Sequence, residues 1–227
     1  MNPWVATVLA ALAILAALAL GAALGETAIP LSTVAKTAAN QIFGAGYPVD
    51  AIDAGIVWNY RLARAAVAAC CGVALALSGV VLQALLRNAL ADPYILGISA
   101  GASTGAVAVA ILGLGAGLVS LSMGAFAGAL LAFGVVALLA RAAGSGAGAI
   151  ILAGIAGSQL FNAITSFIVA RSANAEQARG IMFWLLGNLS GARWPDVTLA
   201  LPVVVLGAVF CLSQPRAPDA FTIRAGC

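Results

Sequence analysis

Hydrophobic positions in this chain gather into long charge-free windows separated by short polar breaks. The first window, residues 1–25, supplies an apolar stretch long enough to cross a bilayer. Residues 26–60 then carry Pro30, Lys36, Pro48, Asp50 and Asp53; within them "LSTVAKTAANQIFG" is mildly amphipathic and predicts a short surface helix. Arg64 and Arg87 bracket a second span, 65–86. The window 93–140 is too long for one helix, and "GLGAG" at 113–117 divides it into span three, 94–112, and span four, 118–140. Arg141 and "AAGSGAG" form a connection to span five, 149–170, after which Arg171, Glu176 and Arg179 interrupt the apolar pattern. Residues 180–192, "GIMFWLLGNLSGA", are charge-free but too short to cross. They predict a re-entrant or interfacial half-helix, with Phe183 and Trp184 suited to the aromatic belt. A last span covers 197–213. The expected fold is all-α, a polytopic transmembrane bundle of about six spans plus a half-helix.

Composition agrees. The chain is 63% hydrophobic and 7% charged, with a mean hydropathy of +1.12. Soluble domains carry roughly 25% charged residues, so this chain could not cover its surface in water. Its 26 glycines would weaken helices in water, whereas in lipid small residues let helix backbones approach closely. Cys70, Cys71, Cys211 and Cys227 form no CxxC pattern and histidine is absent, which excludes a metal centre and a disulfide framework; these cysteines read as small packing residues. A net charge of +3 without a basic run excludes a nucleic-acid partner. The first apolar stretch lacks a basic leader and reads as a retained span. With the N-terminus inside, four basic residues lie inside and six outside, against the positive-inside tendency, so the outer ones need another role.

The turn "LLRNALADPYILG" concentrates polar residues between spans two and three. Arg87 offsets the negative end of a helix dipole, and Asn88 tolerates the left-handed conformation that ends helices. Asp92 suits an N-cap and Pro93 the first turn of the next helix. Each residue has a local structural reason, and a contact surface for a partner would use the same residue types.

The longer stretch "RLARAAVAACCGVALALSGVVLQALLRNALADPYILGISAGASTG", from Arg61, resembles the signature region of the FecCD/BtuC-type permeases, membrane subunits of type II ABC importers for iron-siderophores, heme and vitamin B12. A looser match is "ILAGIAGSQLFNAITSFI" followed by "GIMFWLLGNLSGARW". The likeness covers roughly residues 5–212, the permease domain being 1–212 and residues 213–227 an aberrant polar tail. Ala63 and Ala89 stand where the family usually has proline. Family members have more spans and a cytoplasmic coupling segment after the sixth, so the resemblance implies a chain truncated or frame-shifted near residue 212.

The resemblance implies roles for particular residues. Arg61 and Arg64 match positions that pair with acidic groups on a periplasmic substrate-binding protein; interfacial anchoring is the alternative. Asn88, Asp92 and Pro93 form a cytoplasmic turn. Ser158, Gln159, Asn162 and Thr165 are nominated for the translocation path, with Ser158, Asn162 and Thr165 on one helix face, or for hydrogen bonds between helices. Gln83 faces the path or a neighbouring helix, and Ser145 lies in the region of the inner gate. No cofactor, catalytic residue or metal is implied. The implied protein is a multi-pass permease of the bacterial inner membrane, working as a homodimer among lipid with a cytoplasmic ABC ATPase pair, since the chain has no Walker A motif. Its substrate would be an iron chelate or vitamin B12. A non-transporting relic or a multi-span membrane scaffold are the alternatives.

Overall fold

The computed structural model describes residues 3–25, 27–115, 117–144, 146–172 and 174–213. The described residues are helical with intervening turns: α1 (Pro3–Ala23), α2 (Leu31–Phe43), α3 (Ala51–Ile56), a π-helical turn (Val57–Leu62), α4 (Ala63–Leu86), a 3-10 turn (Pro93–Leu96), α5 (Ile98–Leu112), α6 (Leu121–Ala142), α7 (Ala147–Ser172), α8 (Ala175–Leu185) and α9 (Trp194–Ser213). Among the described residues, five helices are long and apolar enough to cross a membrane: Trp4–Ala23, Ala51–Leu86, Leu121–Ala142, Ala147–Arg171 and Trp194–Cys211. The third expected span is shorter. Gly97 adopts the left-handed conformation (φ 69°), so a 3-10 turn occupies the start of the window and only 15 residues are α-helical in α5.

Two other expectations shift. Arg61 and Arg64 do not start a new helix; α3 runs through the π turn into α4 without a break, because neither proline nor a left-handed glycine intervenes. The half-helix expected at 180–192 is α8, displaced upstream. A reciprocal capping box between Asn174 and Gln177 starts it inside the polar stretch, Glu176 in the first turn complements the dipole, and Gly187 (φ 78°) lies just beyond its end. The surface helix expected near residue 31 is α2, closed by Gly44 in the left-handed conformation.

The described residues form two compact units, the first made of residues up to Leu77 together with 188–213, the second of Ser78–Gly187. In the first, Ala22, Ala23, Ile29, Val34 and Val57 make a small core, and Val67, Ala192 and Val197 make another. The second is held by backbone contact. Gly101 and Gly105 of α5 face Gly124 and Gly128 of α6, and a methyl group at Gly105 would collide with the Gly124 carbonyl, one at Gly128 with the Gly101 carbonyl. Two GxxxG pairs thus meet face to face, the arrangement by which membrane helices gain close dispersion contact. Helix α7 joins them through Phe161, which packs with Ala100 and Ala132.

Candidate functional site

The turn after α4 is built by its own backbone. The Arg87 N–H donates to the Ala84 carbonyl (3.3 Å) and the Asn88 N–H to the Gln83 carbonyl (3.1 Å), the two bonds of a Schellman motif. The left-handed residue is Arg87 (φ 50°), one position before the asparagine expected to adopt it. Asn88 instead accepts from the Leu90 N–H at 2.9 Å. Asp92 caps the 3-10 turn, accepting from the Tyr94 N–H at 2.8 Å, with Pro93 in the first position. Gln83 is half-buried and donates to the Ala91 carbonyl (3.4 Å), so its amide is directed to the turn. Behind the turn, α7 fits closely: a Cβ at Gly154 would strike the Ile95 carbonyl, and one at Gly97 would lie 2.9 Å from the Ser158 hydroxyl.

Helix α7 separates the four residues nominated for the path. Ser158 bonds back to the Gly154 carbonyl (2.8 Å) beside Gly97, and Thr165 is buried. The Thr165 hydroxyl lies 2.8 Å from that of Thr104, which also reaches the Phe161 carbonyl at 2.9 Å and the Ala100 carbonyl at 3.0 Å. Thr104 has one proton, so it donates to a carbonyl while accepting from Thr165. Both nominated hydroxyls therefore serve packing. Gln159 and Asn162 are exposed, so Asn162, though close in helical angle to Ser158 and Thr165, lies outside the packing contact they make. Ser166 is exposed as well, and the spacing 159, 162, 166 makes one polar stripe along the helix. Among the described residues, none of these three side chains has a hydrogen-bond partner. The i, i+3, i+7 spacing was the signal for Ser166.

The arginines also divide. Arg61 donates to the carbonyls of Ala22 (3.2 Å) and Ala23 (2.8 Å), the last residues of α1, and to both oxygens of Thr27. It closes a helix C-terminus, where a cation is favoured. Gly25 leaves room for it, since a Cβ there would lie 2.8 Å from Nη2. Arg64 is exposed and has no partner among the described residues. The π turn holds more. Trp58 and Trp194 stack at 4.5 Å, the Trp194 indole N–H donates to the Trp58 carbonyl (3.0 Å), and the Arg193 guanidinium sits 4.3 Å over the Tyr60 ring. Nothing in the apolar periodicity pointed to this cluster.

Residues 10–223 match the FecCD transport family. The chain belongs to that family.

Relatives include the cobalamin import system permease protein BtuC of Halobacterium salinarum, 38% identical over 213 residues, covering 86% of this chain and 57% of the relative. The Bacillus subtilis ABC transporter permease protein YvrB is 34% identical over 209 residues, covering 89% and 59%. A solved metal-chelate type ABC transporter in an inward-facing conformation superposes with a TM-score of 0.70 at 26% identity, covering 90% of this chain and 60% of that one. The chain thus spans between half and two-thirds of the length of these relatives. This FecCD chain is a multi-pass protein of the inner membrane. Of its expected site residues, Ser145 lies outside the described residues, as does the tail from Gln214. Among the described residues no group of histidine, cysteine or carboxylate side chains is placed to hold a metal ion.

Proposed function

We propose that this chain forms part of the membrane pathway of an ABC importer for a large chelate, cobalamin or a metal complex. The observation that carries the reading is the exposed, unpartnered stripe Gln159–Asn162–Ser166 on a 26-residue apolar helix. Amides and hydroxyls at membrane depth are costly unless they meet a watery cavity or another polar chain. In a FecCD chain, that stripe fits the wall of a translocation path, where amides exchange hydrogen bonds with a passing polar solute and release it again. The names of the relatives support cobalamin and metal chelates as the substrate class.

The working assembly contains a second permease copy facing the first, a pair of cytoplasmic ATPases and a substrate-binding protein. A closed pair suits a shared path, because one copy offers only one wall. ATP hydrolysis belongs to the partners, since the chain has no phosphate-binding loop. Asn88, Asp92 and Pro93 act as rigid supports of the α4–α5 turn. Docking to the binding protein falls to Arg64 more than to Arg61, whose Nη1 and Nη2 groups are already occupied.

Co-expression with the ATPase and binding protein, followed by reconstitution in proteoliposomes, tests the reading. ATP-dependent uptake of labelled cobalamin or a ferric siderophore is expected, and its reduction by Asn162→Leu. Folded, assembled protein that takes up neither class overturns it.

A further inference from the structure

The start of α9 grips the π turn at two neighbouring points. The Trp194 indole N–H donates to the Trp58 carbonyl at 3.0 Å, and the Arg193 guanidinium lies 4.3 Å over the Tyr60 ring. Arg193 also donates to the Ser190 and Ala192 carbonyls, so its cation is engaged within its own loop. In a regular α-helix the Trp58 carbonyl would accept from the N–H four residues on, that of Leu62. A π turn lengthens each hydrogen-bonded ring by one residue, and here the indole reaches the Trp58 carbonyl from the side.

Two arginines meet different surroundings at this turn. Arg61, inside it, donates to the Ala22 and Ala23 carbonyls at the end of α1. Arg64, just beyond it, is exposed with no partner among the described residues. Residues three apart are neighbours on the surface of a regular helix, where both guanidinium groups would compete for one set of acceptors. The wider turn keeps their roles apart.

We infer that Trp194 is a positioning residue for Arg64: its indole fixes the π turn, and the fixed turn presents the Arg64 guanidinium to an acidic group of the binding protein. The inference rests on the docking role proposed for Arg64. Without the indole, the ladder is free to return to pairing four residues apart. That is a one-residue change of register, turning the segment before it by about 100° against α4. Arg61 ties this segment to α1, so the change either moves Arg64 or breaks the cap. A clamped turn also spares the ordering cost that a loose one would meet on docking. The contact of Arg193 with Tyr60 steadies the same turn from its second point.

The full chain, assembled with its ATPase in nanodiscs, is titrated at low and moderate salt with the binding protein used for uptake. Arg64→Gln should weaken docking about tenfold at low salt and flatten its salt dependence. Trp194→Phe should weaken docking about threefold and flatten the salt dependence likewise; added to Arg64→Gln it should cost less than about twofold more. Tyr60→Leu, at an exposed position, removes the ring beneath Arg193 and should behave as Trp194→Phe does, so the test stands even if the Trp194 variant fails to fold. Additive losses in the double variants overturn the inference and leave the docking role of Arg64 in place. Unchanged docking in the Trp194 and Tyr60 variants, whatever their melting temperatures, overturns it too. Normal docking by Arg64→Gln removes the docking role itself, and the inference with it.

Discussion

The indole N–H of Trp194 donates to the backbone carbonyl of Trp58 at 3.0 Å across 136 residues of sequence, while their rings stack at 4.5 Å. The carbonyl lies in the π turn that joins α3 to α4, and the bond ties that irregular turn to the first residue of α9. Trp194→Phe keeps an aromatic ring and removes the donor. It should cost about 1–3 kcal/mol, the penalty of leaving a sequestered carbonyl unpaired, read as a lower melting temperature in detergent.

Arg61 separates anchoring from docking. Arg61→Met retains the apolar stem and deletes the cap of α1. Destabilisation of about 1.5–3 kcal/mol is expected, as for hydrogen bonds made by a charged group, and it should appear in the isolated chain without any binding protein. Unchanged stability would return Arg61 to the docking role.

Thr104 and Thr165, whose hydroxyls lie 2.8 Å apart, form a pair whose coupling a mutant cycle can measure. Intramembrane hydrogen bonds average about 0.6 kcal/mol and reach about 1.7 kcal/mol in double-mutant cycles. A Thr104→Val, Thr165→Val cycle on unfolding stability should fall within that range, and a value near zero would remove the pair as a link between α5 and α7.

Gly105→Leu should abolish folded protein, because even a methyl group there meets the Gly124 carbonyl. Gly134→Ala, where a Cβ meets nothing within 4 Å, should leave the monodisperse peak in size-exclusion chromatography unchanged or raise stability by under about 1 kcal/mol through helix propensity.

Asn162→Leu should lower transport while leaving the melting temperature in place, because its amide has no partner among the described residues. Thr165→Val should do the reverse. Uptake and thermal unfolding measured on the same two variants check the division of α7 into a polar outer stripe and a packing face.

Most spanning helices were legible because their windows are long and charge-free, a pattern lipid exposure imposes on any spanning segment; the upstream extension of the second span to Ala51 and the shortening of the third to α5 were not. What periodicity could not deliver was the side each polar residue takes. Ser158, Asn162 and Thr165 are close in helical angle, yet the α5 backbone lies against only part of that arc, so Asn162 falls outside the contact. The end of α4 was read as an asparagine cap, but the Schellman hydrogen bonds set the left-handed residue by position, and arginine accepts it. Arg61 was read as a docking or interfacial-anchoring residue; that it closes α1 depended on that helix folding back from 38 residues earlier.

The meeting of Gly101 and Gly105 with Gly124 and Gly128 has a mechanical consequence. Side chains between helices act as bearings: they change rotamer and let the rods slide or roll. Here the backbones touch with no such layer, so any translation along the seam drives a carbonyl into a neighbouring Cα. Helices α5 and α6 therefore form a single stiff beam: a displacement of one is carried undiminished to the other.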